Sequence, residues 1–183
     1  MDPASLNIIL MGCPGSGKST QGELLVQKYN LKLIQTGKIY RNIAATGTEL
    51  GKKIKRMMES GQLIDDQTTF EVIDKNLKGI DGGYLIDGYP RTLGQAKWNL
   101  FEVGMVIYIN LPDEIAIARM MKRERSDDTV ESLKIRMQLF HKETEPILNY
   151  FKEQGKLFVV DGQPRVEEIH NSIVKIFEKK NEN

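Results

Sequence analysis

Several ingredients are scarce in this 183-residue chain, and each scarcity removes a class of function. One cysteine cannot form an internal disulfide framework or a cysteine-cluster metal site, and it suits a reducing compartment. The only histidines, His141 and His170, lack a metal-ligand partner at suitable spacing, so structural roles are expected for both. No apolar run approaches the roughly 20 residues that cross a bilayer. The opening "MDPAS" has neither the basic nor the apolar region of a signal peptide, so a cytoplasmic protein is expected. Lys+Arg 26 against Asp+Glu 25 leaves a net charge of +1, with no broad basic field for nucleic acid or anionic membrane. There is no internal repeat, low-complexity block or linker, and the tail "EKKNEN" reads as frayed. An ordinary composition, 40% hydrophobic and 28% charged, then predicts one compact domain.

What is present is an alternation. Short apolar segments at 6–11, 33–35, 84–87, 105–110 and 157–161 read as parallel strands covered on both faces. Helix-like stretches fall at 17–29, 68–78, 92–101, 113–124, 129–152 and 166–179. The pattern predicts a doubly wound α/β layer with its ligand beyond the carboxyl ends of the strands. Residues 37–64 depart from it, with two helix-like pieces broken at "ATGTELG" and no strand between them. They read as an insertion, and "KRERSDD" at 122–128 as a very short charged connection between two helices.

The first strand runs into "GCPGSGKS", which meets G-x-x-x-x-G-K-[ST] from Gly12 to Ser19. Gly12, Gly15 and Gly17 allow backbone conformations and close approach that a Cβ forbids. Successive backbone N–H groups of the loop are then expected to point inward at an anion, reinforced by the positive end of the following helix. Lys18 adds a point charge for the outer phosphates, and the Ser19 hydroxyl can reach a magnesium ion. A chance match is on the order of one per cent or less, so phosphate binding is the expectation. A GTPase would carry N-K-x-D after a strand. Here Asn110-Leu111-Pro112-Asp113 has leucine where the lysine belongs, which disfavours that class.

Asp87 closes the third apolar segment and suits ordering of Mg²⁺ and its waters beside such a loop. The run Asp87-Gly88-Tyr89-Pro90-Arg91 resembles the D-G-F/Y-P-R signature of nucleoside monophosphate kinases. With "QTGKIYR" (35–41) and "MMKRERSDDT" (120–129), the chain resembles the adenylate kinase family over residues 6–177. The resemblance implies a three-layer P-loop NTPase fold with a five-stranded parallel sheet. Its core would be 6–35, 65–119 and 129–179, with a helical NMP-binding insertion at 36–64 and a minimal lid at 120–128. It implies ATP + AMP ⇌ 2 ADP with Mg²⁺, by a monomer unless the short lid calls for a second copy.

On that resemblance, Gly15, Ser16, Gly17, Lys18, Ser19 and Thr20 hold the ATP phosphates, and Ser19 and Asp87 hold the metal. Arg119 stacks on the ATP adenine, Arg123 reaches its phosphates, and backbone around Gln163 and Pro164 meets its base. Arg41 and Arg91 grip the AMP phosphate, each as a bidentate fork. Arg125 and Arg136 surround the phosphoryl group in transfer. Thr36-Gly37 and Gln95 favour adenine over a pyrimidine, Leu63, Ile64, Asp65 and Gly88 frame the AMP site, and Tyr89 and Pro90 adjoin it. The runner-up is a UMP/CMP kinase. From another class comes a nucleotide-binding regulatory module without turnover.

Several of these residues also have plain structural readings. Thr92 with Gln95 fits a capping box, Thr36 fits a helix N-cap, and Asp128 with Glu131 fits the start of the long helix at 129. Asp127 is expected to orient the lid arginines. Met57, Met58, Met120 and Met121 read as core filler, and Arg56 with Lys52–Lys55 as solvated charge. Cys13, among inward N–H groups, is expected to have a lowered pKa that would favour oxidation. Three departures from the family pattern stand out: Ser19 for glycine, Lys38 where an acid is usual, and "DDQ" at 65–67 for Pro-Asp-Glu. The lid departs further, with only Glu124 between Arg123 and Arg125, and a zinc-stapled lid is excluded.

Overall fold

The computed structural model describes residues 6–98, 101–122 and 128–181. Five strands, β1 (Asn7–Met11), β2 (Lys32–Gln35), β3 (Tyr84–Asp87), β4 (Met105–Asn110) and β5 (Leu157–Asp161), form one sheet in the order β2-β3-β1-β4-β5. Every pairing is parallel. This is the α/β architecture expected from the alternation, with strand bounds within a residue of those read from the sequence. Parallel neighbours require crossovers, and helices supply them on both faces.

Alternate β1 residues enter opposite faces. Ile8 and Leu10 join Leu25 of α1 (Lys18–Tyr29) and Ile173 and Phe177 of α9 (Val166–Asn181) in the larger core. Ile9 and Met11 pack instead with Val106, Ile147 and Phe151. These side chains are almost fully buried, and each such burial contributes about 1.5–3 kcal/mol. Tyr29 and Phe177 rings, 5.1 Å apart, join α1 to α9.

The insertion is two helices, α2 (Thr36–Ala44) and α3 (Glu49–Glu59), with a small core of their own around Tyr40, Ile54 and Ile64. Thr48 caps α3 by accepting from the Gly51 N–H, and Asp65 caps α4 (Asp66–Leu77) by accepting from the Thr68 N–H. Thr36 is not an N-cap. That position falls to Gln35, which makes no side-chain cap, because the Thr36 hydroxyl is drawn to the carbonyls of Asp87 and Gly88.

Two helices differ from their sequence reading. In the 92–101 segment, α5 (Leu93–Lys97) is capped by the Thr92 hydroxyl and ends at an extended Trp98. Beyond α6 (Asp113–Met121), the 129–152 segment is three pieces: α7 (Val130–Leu139), a π-turn at Phe140–Thr144 and α8 (Ile147–Glu153). Pro146 is the reason, since it has no N–H to continue an α-helical ladder. The Glu145 N–H reaches back five residues to the Phe140 carbonyl, at 2.8 Å. The N-cap of α7 is Thr129, in a reciprocal box with Ser132, and not Asp128 with Glu131 as the sequence suggested.

The π-turn places His141 between two carboxylates, Asp113 at the head of α6 and Glu145, each at 2.8 Å. Bonds to Glu145 and then Asp113 raise its pKa above the ordinary 6.5. A raised folded-state pKa contributes stability that is complete below the unfolded value and fades as pH climbs through the folded one. The melting advantage of the chain over His141→Gln is therefore expected to be largest near pH 5.5 and to shrink toward about pH 8.5. Parallel melting curves across that range would count against the bridge.

Candidate active site

The register of the sheet assembles the site. Leu10 lies opposite Asp87, and Gln35 opposite Asp87 on the other side. The loop after β1, the acid ending β3 and the start of α2 therefore meet at one edge. At Gly12, φ is +151°, and an added Cβ would lie 2.6 Å from Ser16 Oγ and 2.7 Å from the Ile109 carbonyl oxygen. At Gly15, φ is +86° and the Cβ would lie 2.5 Å from the Ala116 carbonyl oxygen. Only glycine fits either position. α1 begins with Gly17 as N-cap and no side-chain cap, so its first N–H groups are left for an anion.

Lys18 Nζ donates to the carbonyls of Gly12 (2.7 Å) and Cys13 (2.8 Å) and to Ser16 Oγ (3.3 Å). The loop's own acceptors thus hold the ammonium at its mouth. The Ser19 hydroxyl donates to Asp87 Oδ2 at 2.7 Å. Gly15, Ser16, Gly17, Lys18, Ser19, Thr20 and Asp87 all line a cleft of about 920 Å³. Cys13 is buried, its thiol facing the Leu111 carbonyl at 3.7 Å, and burial pushes its pKa up despite Lys18. The expectation of a lowered pKa is therefore reversed, because the thiol lies on the core side of the loop.

The same cleft is lined by Gly37, Lys38, Arg41, Leu63, Ile64, Gly88, Tyr89, Pro90 and Arg91. Half-buried Arg91 donates from Nε to the Gly88 carbonyl at 2.8 Å, and the Thr144 hydroxyl holds its backbone carbonyl at 2.9 Å. Burial pushes the Arg91 pKa down, with Tyr40 and Asp87 partly offsetting it. Arg119, also in the cleft, donates to the carbonyls of Gly162 (2.9 Å) and Gln163 (3.2 Å), which anchors α6 to the loop before α9. Pro164 lines the cleft, whereas the Gln163 side chain turns to Asp161. Arg136 pairs with Asp128 at 2.8 Å and donates to the Met58 carbonyl at 2.9 Å.

Three residues assigned to the acceptor site, Thr36 and Gln95 for its base and Asp65 for its backbone, are not among those lining this cleft. Thr36 is fully buried, with its hydroxyl spent on backbone carbonyls. Gln95 is 2% exposed, its amide bonded to Asp66 and to the Arg91 N–H. Asp65 caps α4 and pairs with Lys53 at 2.9 Å, and the bond from Lys53, then the Thr68 N–H, lower its pKa to about 2. Arg123, Arg125 and Asp127 lie outside the described residues.

A loop of this geometry, with an acid on the adjacent strand and Arg41, Arg91, Arg119, Arg136 and Arg165 from five other segments, marks a phosphoryl-handling cleft. Residues 10–156 match the family model for adenylate kinase. The chain belongs to the adenylate kinase family. Among curated adenylate kinases, that of Oenococcus oeni is 34% identical over 183 residues, covering 94% of this chain and 97% of the relative. The adenylate kinase of Flavobacterium johnsoniae is 36% identical, covering 94% and 98%. The alignment with that of Methanothrix thermoacetophila, 31% identical, covers 95% of this chain and 99% of the relative but extends over 213 residues. That relative therefore carries segments this 183-residue chain lacks. As a member of the adenylate kinase family, the chain is a nucleoside monophosphate kinase, a phosphotransferase.

Sequence reasoning missed some of this adenylate kinase cleft. Met58, Gly61, Phe140, Thr144 and Arg165 line it without belonging to any motif. Gly61, with φ +74°, lies so close to α7 that a Cβ would fall 2.5 Å from the Ser132 carbonyl oxygen. Its glycine was the one available signal. Asp66, which stands at the aspartate of the Pro-Asp-Glu pattern, was given no role of its own.

Proposed function

We propose that the chain catalyses the reversible transfer of a phosphoryl group from ATP to AMP, giving two ADP, with Mg²⁺ as cofactor. The carrying observation is one cleft lined both by the Gly12–Ser19 loop with Arg119 and by a second phosphate-gripping set, Arg41 and Arg91. A hydrolase or a simple binder has no use for the second set. Lys18 and the loop residues Gly15, Ser16 and Gly17 hold the ATP phosphates, with Thr20 beside them. Arg119, with backbone near Gln163 and Pro164, holds its base. Arg41 and Arg91 clamp the AMP phosphate, and Arg136 steadies the charge on the group in transfer, with Arg123 and Arg125 assigned alongside. The transfer needs positioning and charge neutralisation rather than a general base.

Ser19 Oγ and Asp87 Oδ2 are hard oxygen donors 2.7 Å apart, of the kind magnesium takes, so the residues fit that ion. When bound, Mg²⁺ neutralises charge on the transferring phosphates. Residues 36–64 are read as the acceptor-binding insertion, framed by Thr36, Gly37, Leu63, Ile64 and Asp65, and 120–128 as a minimal lid. The reading is of a cytoplasmic monomer without nucleic-acid or membrane partners, a second copy over the short lid being the alternative. Among the described residues, no helix is long and apolar enough to cross a membrane.

The base assignment rests on Gln95 and Thr36, both bonded inside the protein, so a pyrimidine monophosphate kinase is the runner-up. Mg²⁺-dependent transfer from ATP to AMP, UMP, CMP and GMP tests it. AMP is expected to exceed the others by about a hundredfold in kcat/KM. Preference for UMP or CMP would overturn the base assignment. Transfer to none would overturn the reaction.

A further inference from the structure

We propose that Asp66 determines base specificity by locking the orientation of the Gln95 amide, an inference resting on the reading that Gln95 meets the acceptor base. Asp66 opens α4 and Gln95 lies in α5, twenty-nine residues later, yet the Gln95 Nε2 donates to Asp66 Oδ1 at 2.7 Å. At its other end, Gln95 Oε1 accepts from the Arg91 N–H at 2.8 Å. The Asp66 carboxylate also accepts the Thr92 hydroxyl, at 3.2 and 3.1 Å from its two oxygens. That hydroxyl oxygen in turn accepts the Gln95 N–H at 3.1 Å.

The oxygen and nitrogen ends of a glutamine amide have nearly the same shape, so sterics alone do not choose between the two orientations. Here chemistry chooses. A backbone N–H can only donate, and an ionised carboxylate can only accept. Turning the amide over would set Nε2 against the Arg91 N–H and Oε1 against the Asp66 carboxylate, two repulsive contacts in a site that is 2% exposed.

The amide has two lone pairs and two N–H bonds, and the lock occupies one of each. The remaining pair has a fixed polarity, acceptor at one end and donor at the other. A 6-aminopurine presents an amino donor beside a ring-nitrogen acceptor. A 6-oxopurine presents a carbonyl acceptor beside a ring N–H donor. With ribose and phosphate fixing the register of the base, an amide held one way suits AMP, and the reversed amide suits IMP. Gln95 supplies the recognising group and Asp66 supplies its sign.

The test compares kcat/KM for AMP and for IMP, two nucleotides that differ only at the 6-position and the adjoining ring nitrogen. The wild type is expected to favour AMP strongly. Asp66→Ala removes the charged acceptor and is expected to lower the AMP-to-IMP ratio about tenfold or more. Asp66→Asn keeps a carbonyl acceptor without the charge and should fall between the two, and it carries the comparison if the alanine variant does not fold. A merely structural role would depress AMP and IMP together, and an unchanged ratio in both variants overturns the proposal. Gln95→Leu separates it from the reading beneath. If that variant loses preference for AMP over IMP and UMP while the Asp66 variants keep theirs, only the lock is wrong. If it keeps full AMP preference, the base-reading role falls and this inference falls with it.

Discussion

Replacing Lys18 by methionine is expected to lower kcat/KM for phosphoryl transfer by about a thousandfold or more. The ammonium is held by the Gly12 and Cys13 carbonyls and Ser16 Oγ, at the mouth of a loop whose Gly15, Ser16 and Gly17 line the cleft. Incoming phosphate oxygens would meet a charge already in place, which is the preorganisation that makes electrostatic catalysis effective. Methionine keeps the length and packing of the side chain and removes only the charge and its donors. Gly12 and Ser16, two of the loop's three acceptors, line the cleft, where water can replace the lost donor, so the melting temperature should move by only a few degrees. Steady-state transfer and thermal melting check both halves. A loss below tenfold would mean that Lys18 is not the group that meets the phosphates.

Arg91→Met is expected to lower kcat/KM for AMP by at least about a hundredfold while leaving ATP binding within a factor of two or three. Arg91 is fixed by its own Nε–Gly88 bond and by the Thr144 hydroxyl on its carbonyl, so its fork is aimed before substrate arrives. Lysine should rescue little, because a point charge on a flexible stem does not reproduce a planar bidentate donor. Stability should respond in the opposite sense. Burial disfavours the charged guanidinium, so the methionine variant is expected to melt no lower than the parent. An equal loss of ATP and AMP binding would place Arg91 elsewhere in the reaction.

The strands were legible because parallel strands covered on both faces leave short, continuous apolar runs, and the loop was legible because Gly12 and Gly15 have no steric alternative. The long helix at 129–152 was misread because its periodicity continues past Pro146 while its hydrogen-bond ladder does not. Gln95 and Thr36 show a different limit. Residue type tells what a side chain can bond, but which partner it finds depends on elements that meet only after folding. Asp66 became visible for the same reason, through its bond to α5. Cys13 reversed its expected pKa because its side chain faces the core cluster.

Two of the contacts that hold Arg136 are of different kinds. Asp128 adjoins α7, on the same stretch of chain, whereas the Met58 carbonyl belongs to the insertion. Gly61 brings the end of that insertion against Ser132 on α7 with no room for a methyl group. On the proposed reading, in which 36–64 carries the acceptor and Arg136 meets the group in transfer, a displaced insertion would take the Met58 contact away from the guanidinium. In engineering terms that reading makes Arg136 an interlock, tying readiness for transfer to the segment proposed to bring the acceptor.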